Sequence, residues 1–135
     1  MFCLDTNVII FAMNRRNPVI VARLSTELRA GTTLLVPAIV RFELEYGIAK
    51  SDRPAASRAS LERLMAAGFE QAVFDLADAR EAADICAHLE SQGMPIGPFD
   101  YLIAAQARRR RAALVTLNKR EFERVPGLIV TDWAV

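Results

Sequence analysis

The sequence predicts an α/β fold: one domain with a central, mostly parallel sheet flanked by helices on both faces. Three observations predict it. Short apolar runs of strand length alternate with longer segments of helical periodicity, the order that builds parallel sheets through helical crossovers. The chain has 135 residues, the length of a single core. Hydrophobic residues make up 53% and charged residues 24%, a balance that suits a folded globule and not a disordered tail.

The elements follow in order. Phe2 to Leu4 is a short apolar run that ends at Asp5, as a buried strand would. Val8 to Met13 forms a helical turn or two. Asn17-Pro18 starts a helix, with proline in the first turn, Val21, Leu24 and Leu28 at helical spacing, and Gly31 as the stop. Thr33 to Val36 is β-branched and apolar, a second strand closed by Pro37. A helix runs from Ala38 to about Lys50; Asp52, Arg53 and Pro54 interrupt it, and Ala55 to Ala67 resumes the pattern up to Gly68. Ala72 to Phe74 reads as a third strand. Leu76 to Leu89 is a long, alanine-rich amphipathic helix ended by Gly93 and Pro95. Pro98 opens another helix that runs into Arg108 to Arg111. Ala113 to Leu117 is a fourth strand, Glu121 to Arg124 a helical turn and Leu128 to Val130 a last strand. No repeat, linker or low-complexity segment divides residues 1–135, so they form one domain.

Several function classes are excluded or weakened by composition. No apolar run approaches the roughly 18 residues of a membrane span, and the first residues carry an acid and no basic stretch of the kind that opens a secretory signal. Cys3 and Cys86, in apolar settings and without metal-ligand spacing, read as reduced core thiols of a cytoplasmic protein, although a disulfide between them stays open. His88 is the single histidine, so neither a two-histidine metal site nor more than one histidine-based nucleophilic site can be assembled, and its mid-helix position gives it no role. Gly31-Thr32-Thr33 lacks the lysine of a phosphate-binding loop. With a net charge of +1, any nucleic-acid surface must be a local basic patch balanced by acids elsewhere. The few aromatic residues fall mostly at apolar-periodic positions and read as core, not as platforms for bases; Trp133 is expected to pack the C-terminus down.

Three acids stand out because they lie on apolar faces. In a parallel sheet, ligands sit beyond the carboxyl ends of the strands, near the point where strand order reverses. Asp5 ends the first strand and so points to that edge; it can equally cap the following turn. Glu43 has Ile39, Val40, Tyr46 and Gly47 one helical turn away, none of them charged. A carboxylate on such a face costs several kcal/mol, roughly 3–5, unless a cation or a partner arginine meets it. Asp100 sits in the first turn after Gly97-Pro98, with Ile96, Ile103 and Ala104 beside it; the helix dipole alone would be worth only about 0.3–1 kcal/mol. Acids that converge on one edge repel one another unless a divalent cation neutralises them. Hard oxygen ligands suit Mg²⁺ or Mn²⁺, and the chemistry implied is phosphodiester hydrolysis by metal-activated water.

At these residues the chain resembles PIN-domain ribonucleases, specifically the VapC-type toxins of bacterial toxin–antitoxin pairs. The resemblance spans essentially the whole chain: Leu4-Asp5-Thr6-Asn7, then Phe42 to Gly47, then Pro95 to Asp100, then Val115-Thr116-Leu117-Asn118 with Glu121-Phe122, and last Asp132-Trp133. It implies a metal-dependent ribonuclease with Asp5, Glu43 and Asp100 as ligands of Mg²⁺ or Mn²⁺, and Asn118 where many members carry a fourth acid. Thr6 and Thr116 would orient ligands or water by hydrogen bonds. An RNA substrate such as tRNA, a VapB-type antitoxin that brings an arginine or lysine to the acidic pocket, and a homodimer complete the implication. Arg108, Arg109, Arg110 and Arg111 are candidates for RNA-backbone contact, or else a solvated helix end. Three other readings compete. An aspartyl-phosphate enzyme would need an acid where Asn7 stands, a non-catalytic PIN binding module has only Asn118 in its favour, and a housekeeping PIN nuclease would act in RNA maturation without an antitoxin.

Overall fold

In the computed structural model, which describes residues 1–133, five strands form one sheet in the order β3-β2-β1-β4-β5, and every neighbouring pair is parallel. The strands are β1 (Phe2–Leu4), β2 (Leu34–Pro37), β3 (Glu70–Ala72), β4 (Ala113–Val115) and β5 (Val130–Thr131). The helices are α1 (Thr6–Asn14), α2 (Pro18–Arg29), α3 (Ala38–Ala49), α4 (Pro54–Met65), α5 (Leu76–Ser91), α6 (Pro98–Arg109) and the single turn α7 (Lys119–Phe122). The expected single α/β domain with a parallel sheet is what forms; the last two residues of that expected range lie outside those described.

Chain order steps from β1 through β2 to β3, then crosses back to β4 and β5. Because βαβ crossovers are right-handed, this reversal puts α1 to α4 on one face and α5 to α7 on the other. Strand order therefore switches at the β1–β4 pair, where Phe2, Cys3 and Leu4 face Ala113, Leu114 and Val115. The core lies along this seam. Cys3, Leu4, Leu34, Val36, Leu114 and Val115 are fully buried, and strands covered on both faces read as continuous apolar runs for that reason. Each such side chain stabilises the fold by about 1.5–3 kcal/mol relative to an exposed one. On α6, Ala104, Ala105 and Ala107 are buried beside Ile103, small side chains that bring the helix close to the sheet. Cys3 and Cys86 are both free thiols, and no described helix is long and apolar enough to cross a membrane.

Several boundaries differ from expectation. β4 ends at Val115 and not Leu117, β2 is shifted by one residue to Leu34–Pro37, and α1 starts at Thr6 and not Val8. Three further differences have a visible cause. The third strand is Glu70–Ala72, not Ala72 to Phe74: Ala72 is its last residue, opposite Pro37. Beyond it the Gln106 amide takes the carbonyls of Ala72 and Val73 at 2.8 and 3.1 Å, and Arg110 also binds the Val73 carbonyl, so the chain leaves the ladder. The last strand begins at Val130, because Leu128 still belongs to a turn, its N–H bonded to the Val125 carbonyl and Gly127 at φ 74°. The helical turn before it is Lys119–Phe122 and not Glu121 to Arg124, since Asn118 already stands at its N-cap. Trp133, the last described residue, is buried edge-on against Phe2 at 5.1 Å with the Arg23 guanidinium over its ring, while the terminal residues it was expected to pack down lie outside those described.

Candidate metal centre

Asp5 follows the last residue of β1 and lies at the carboxyl edge of the sheet, on the seam with β4. Its backbone N–H continues the ladder to the Val115 carbonyl at 3.0 Å. The side chain is 7% exposed and both of its oxygens are engaged. Oδ1 accepts the Thr6 N–H at 2.8 Å, so the capping role expected of Asp5 is real. Oδ2 accepts the Thr116 hydroxyl at 2.6 Å. Burial pushes the Asp5 carboxyl above its usual range, although the bonds from Thr116 and Thr6 work against that rise.

From Asp5 a chain of hydrogen bonds extends both ways along the edge. Toward β2, Thr6 Oγ1 donates to Glu43 Oε1 at 2.6 Å. Toward β5, Thr116 Oγ1 accepts the Asn118 N–H at 3.0 Å, and Asn118 Nδ2 donates to Glu121 Oε2. Thr6 and Thr116, expected to orient the ligands, bond directly to the carboxylates in question. Glu43 is reached because α3 follows directly on β2, at the same edge of the sheet.

Asp100 enters from α6, whose first turn sits at this edge because the helix leads back toward the start of β4. Its carboxyl is half-buried and pushed up to about 7, first by burial, then by the charges of Asp5, Glu121 and Glu43, and by a hydrogen bond with Glu121. Asp5, Glu43 and Asp100, chosen from sequence, therefore lie within mutual electrostatic reach. Gly97 makes room for this arrangement: a Cβ there would come within 2.8 Å of Asp100 Oδ2.

Glu121 is the residue that sequence reasoning missed as a member of the site. It belongs to a one-turn helix too short to show periodicity. The available signal was its spacing, three residues after the strand-end Asn118. Asn118 itself brings no charge but holds Glu121. The fourth negative group is thus present, displaced by three positions from where a fourth acid was sought.

The arginine run is elsewhere. Asp100 and Arg109 are separated by nine residues of α6, about 13 Å along the axis. Arg108 pairs with Glu81 at 3.0 Å, and Arg109 and Arg110 with the buried Asp78 at 2.7 and 2.8 Å. Arg109 also reaches Asp75 at 2.9 Å. These three guanidinium groups tie α6 to α5, while Arg111 is exposed in the left-handed turn after the helix, at φ 55°.

Carboxylates gathered at one edge, bonded to hydroxyl and amide donors, are the ligand type that suits a hard divalent cation. Among the described residues no group of three or more acidic, histidine or cysteine side chains is arranged to hold a metal ion. The donor set, open, all-oxygen and negatively charged, is of the kind that suits Mg²⁺, which keeps several of its waters, and a cation there would offset both the burial and the neighbouring charges that raise the Asp100 carboxyl.

The family model that matches is the PIN domain, over residues 2–128. The tRNA(fMet)-specific endonuclease VapC of Shigella flexneri is 38% identical over 137 aligned positions, covering 98% of both chains. Ribonuclease VapC2 of Rickettsia felis is 32% identical, again with 98% of each covered. Among solved structures, the DNA-bound VapBC of Salmonella typhimurium has a chain that superposes with a TM-score of 0.89 at 35% identity, covering 98% of this chain and 97% of that one. The Rickettsia felis VapBC2 complex with a promoter DNA fragment gives 0.89 at 29%, covering 96% of each. With a reversed-order parallel sheet, an acidic carboxyl edge and these relatives, the chain belongs to the PIN-domain family, within its VapC ribonucleases.

Proposed function

We propose that this chain is a divalent-metal-dependent endoribonuclease, the toxin of a VapBC-type toxin–antitoxin pair, acting in the cytoplasm. The observation that carries the reading is the hydrogen-bonded line from Glu43 through Thr6, Asp5, Thr116 and Asn118 to Glu121, with Asp100 facing it. Asp5, Asp100 and Glu43 would hold Mg²⁺ or Mn²⁺, with Glu121 beside them. The ion supplies positive charge for the phosphate oxygens and makes water at the site more acidic.

The chain's own residues do the rest. Thr116 and Thr6 fix the rotamers of Asp5 and Glu43, so the negative edge is formed before substrate arrives. Hydrolysis adds a water oxygen to phosphorus, breaks one bridging P–O bond and moves a proton to the leaving ribose oxygen. Asp100 or Asp5, both carboxylates at this edge, would take the proton that water loses. The name of the Shigella flexneri relative points to tRNA as the substrate, and the solved VapBC complexes point to a VapB-type partner. We assign to that antitoxin an arginine or lysine opposite the carboxylates, and to the toxin a homodimeric state.

The test is incubation of the purified protein with total RNA, with Mg²⁺ or Mn²⁺ against EDTA, followed by mapping of the cut ends. Discrete cleavage that needs the ion and disappears in Asp5→Ala is expected. RNA left intact by wild type, or cut equally by Asp5→Ala, contradicts the assignment and leaves a PIN module that only binds.

A further inference from the structure

Three aromatic side chains expected in the core lie at the surface beside the acidic edge: Phe42 is 49% exposed, Tyr46 58% and Phe99 44%. Phe42, Tyr46 and Lys50 stand at successive turns of one face of α3, extending past its end. The rings of Phe42 and Tyr46 lie within 17° of parallel with centroids 6.4 Å apart, and Phe99 leans on Phe42 at 5.4 Å. Lys50 Nζ sits 4.6 Å from the Tyr46 ring centre, at the end of the row away from the acids. At the other end Phe99 directly precedes Asp100, and Glu43 lines the same groove of about 610 Å³.

We infer that this ledge is a nucleobase-stacking subsite of the ribonuclease, holding one or two unpaired bases next to the bond to be cut. It rests on the RNA-hydrolase reading of the adjacent carboxylates. Exposed aromatic area on this scale is costly in water unless a ligand covers it. Planar rings accept any base on the ring area that their neighbours and Lys50 leave exposed, and the Lys50 cation at the last ring suits the phosphate that joins the next nucleotide. The groove runs continuously into the acidic edge, so a strand whose base stacks on Tyr46 or Phe99 has its backbone led toward Asp100. Arg108, Arg109 and Arg110, bound to acids of α5 at the other end of α6, offer no such path. The ledge thereby supplies the substrate affinity that the net charge of +1 does not, and it favours single-stranded or looped RNA over duplex, whose bases are already stacked.

The test compares fluorescently labelled oligoadenylate with an abasic ribose-phosphate strand of equal length and charge, by anisotropy, in Mg²⁺ and in parallel in EDTA. Wild type is expected to prefer the base-containing strand by about tenfold, the worth of one stacked base. Tyr46→Ala and Phe99→Ala should remove most of that preference without weakening the abasic strand, and Tyr46→Phe should retain it. In Tyr46→Trp, oligoadenylate but not the abasic strand should quench the new indole. Equal binding of both strands by wild type overturns the subsite. So does a Tyr46→Ala protein that keeps the preference but dissociates from a second copy or from the antitoxin, which would make the ledge a protein interface. Cleavage of RNA by wild type is scored separately: base preference without cleavage sinks the hydrolase reading and leaves the stacking ledge standing.

Discussion

Thr116 Oγ1 donates a 2.6 Å hydrogen bond to Asp5 Oδ2, joining the ends of β4 and β1 where the strand order reverses. Thr116 is fully buried, and its hydroxyl also accepts the Asn118 N–H. One side chain therefore positions a proposed metal ligand and the loop that carries Asn118 and Glu121.

Thr116→Val keeps the shape and deletes both bonds. Mn²⁺ affinity is expected to fall by roughly 10–100-fold, the range for groups that orient metal ligands, with a loss of about 1–2 kcal/mol in stability from the unsatisfied carboxylate. Isothermal titration with Mn²⁺ and urea unfolding measure the two effects. Unchanged Mn²⁺ affinity would separate Thr116 from the site.

Asp100→Asn removes a charge that Asp5, Glu121 and Glu43 oppose. Cleavage should be lost while the metal-free protein becomes more stable at pH 8, by about 1 kcal/mol or roughly 4 °C in Tm. Thermal unfolding in EDTA tests this, and a lower Tm would mean that Asp100 is held by favourable contacts.

Gly97→Ala probes packing against the same carboxylate. The backbone at Gly97 has φ −59° and tolerates alanine, but the new methyl must displace Asp100 Oδ2 from 2.8 Å. Fold and Tm should survive, while kcat drops about tenfold or more, as small misplacements of reacting groups cost. Wild-type turnover in this variant would show that the Asp100 rotamer is not fixed by Gly97.

Asp78 links stability to pH. Its buried carboxylate is well below the usual range: burial works to raise it, but bonds from Arg110, Arg109 and the Asp75 N–H outweigh that. The pKa is lower in the folded state than in the unfolded, so this contribution is present above the unfolded value, about pH 4, and is lost as pH falls below it toward the folded value. Asp78→Asn should lose about 2–3 kcal/mol at pH 7 and flatten the acid limb of the stability curve. Urea midpoints between pH 7 and pH 3 give the comparison; parallel curves for the two proteins would contradict it.

Much of this was legible in the sequence for a physical reason. Asp5, Glu43 and Asp100 are acids at positions whose helical or strand neighbours are apolar, a conflict that a shared site is one way to resolve, and they do lie at one edge. What failed is what depends on non-local partners. Strands of two or three residues such as β3 and β5 take their limits from register with β2 and β4, which local propensity does not contain. Arg108 to Arg110 look like a free basic run until α5 brings Glu81 and Asp78 against them. Val40, Leu44 and Ile48 form the buried side of α3, and Tyr46 lies on another side with Phe42, where both rings stay exposed; an apolar neighbour one turn away did not reveal which side meets the core.

Binding of Mn²⁺ to the purified protein, followed by electron paramagnetic resonance at pH 7.5 in wild type, Asp5→Asn and Asp100→Asn, addresses the metal centre without depending on any RNA. Saturable binding in wild type and a loss of about tenfold or more in each variant is the expected result, since each would remove a proposed charged ligand. Wild type that leaves Mn²⁺ free in solution, or variants that bind it as tightly as wild type, would show that these carboxylates do not gather to hold an ion.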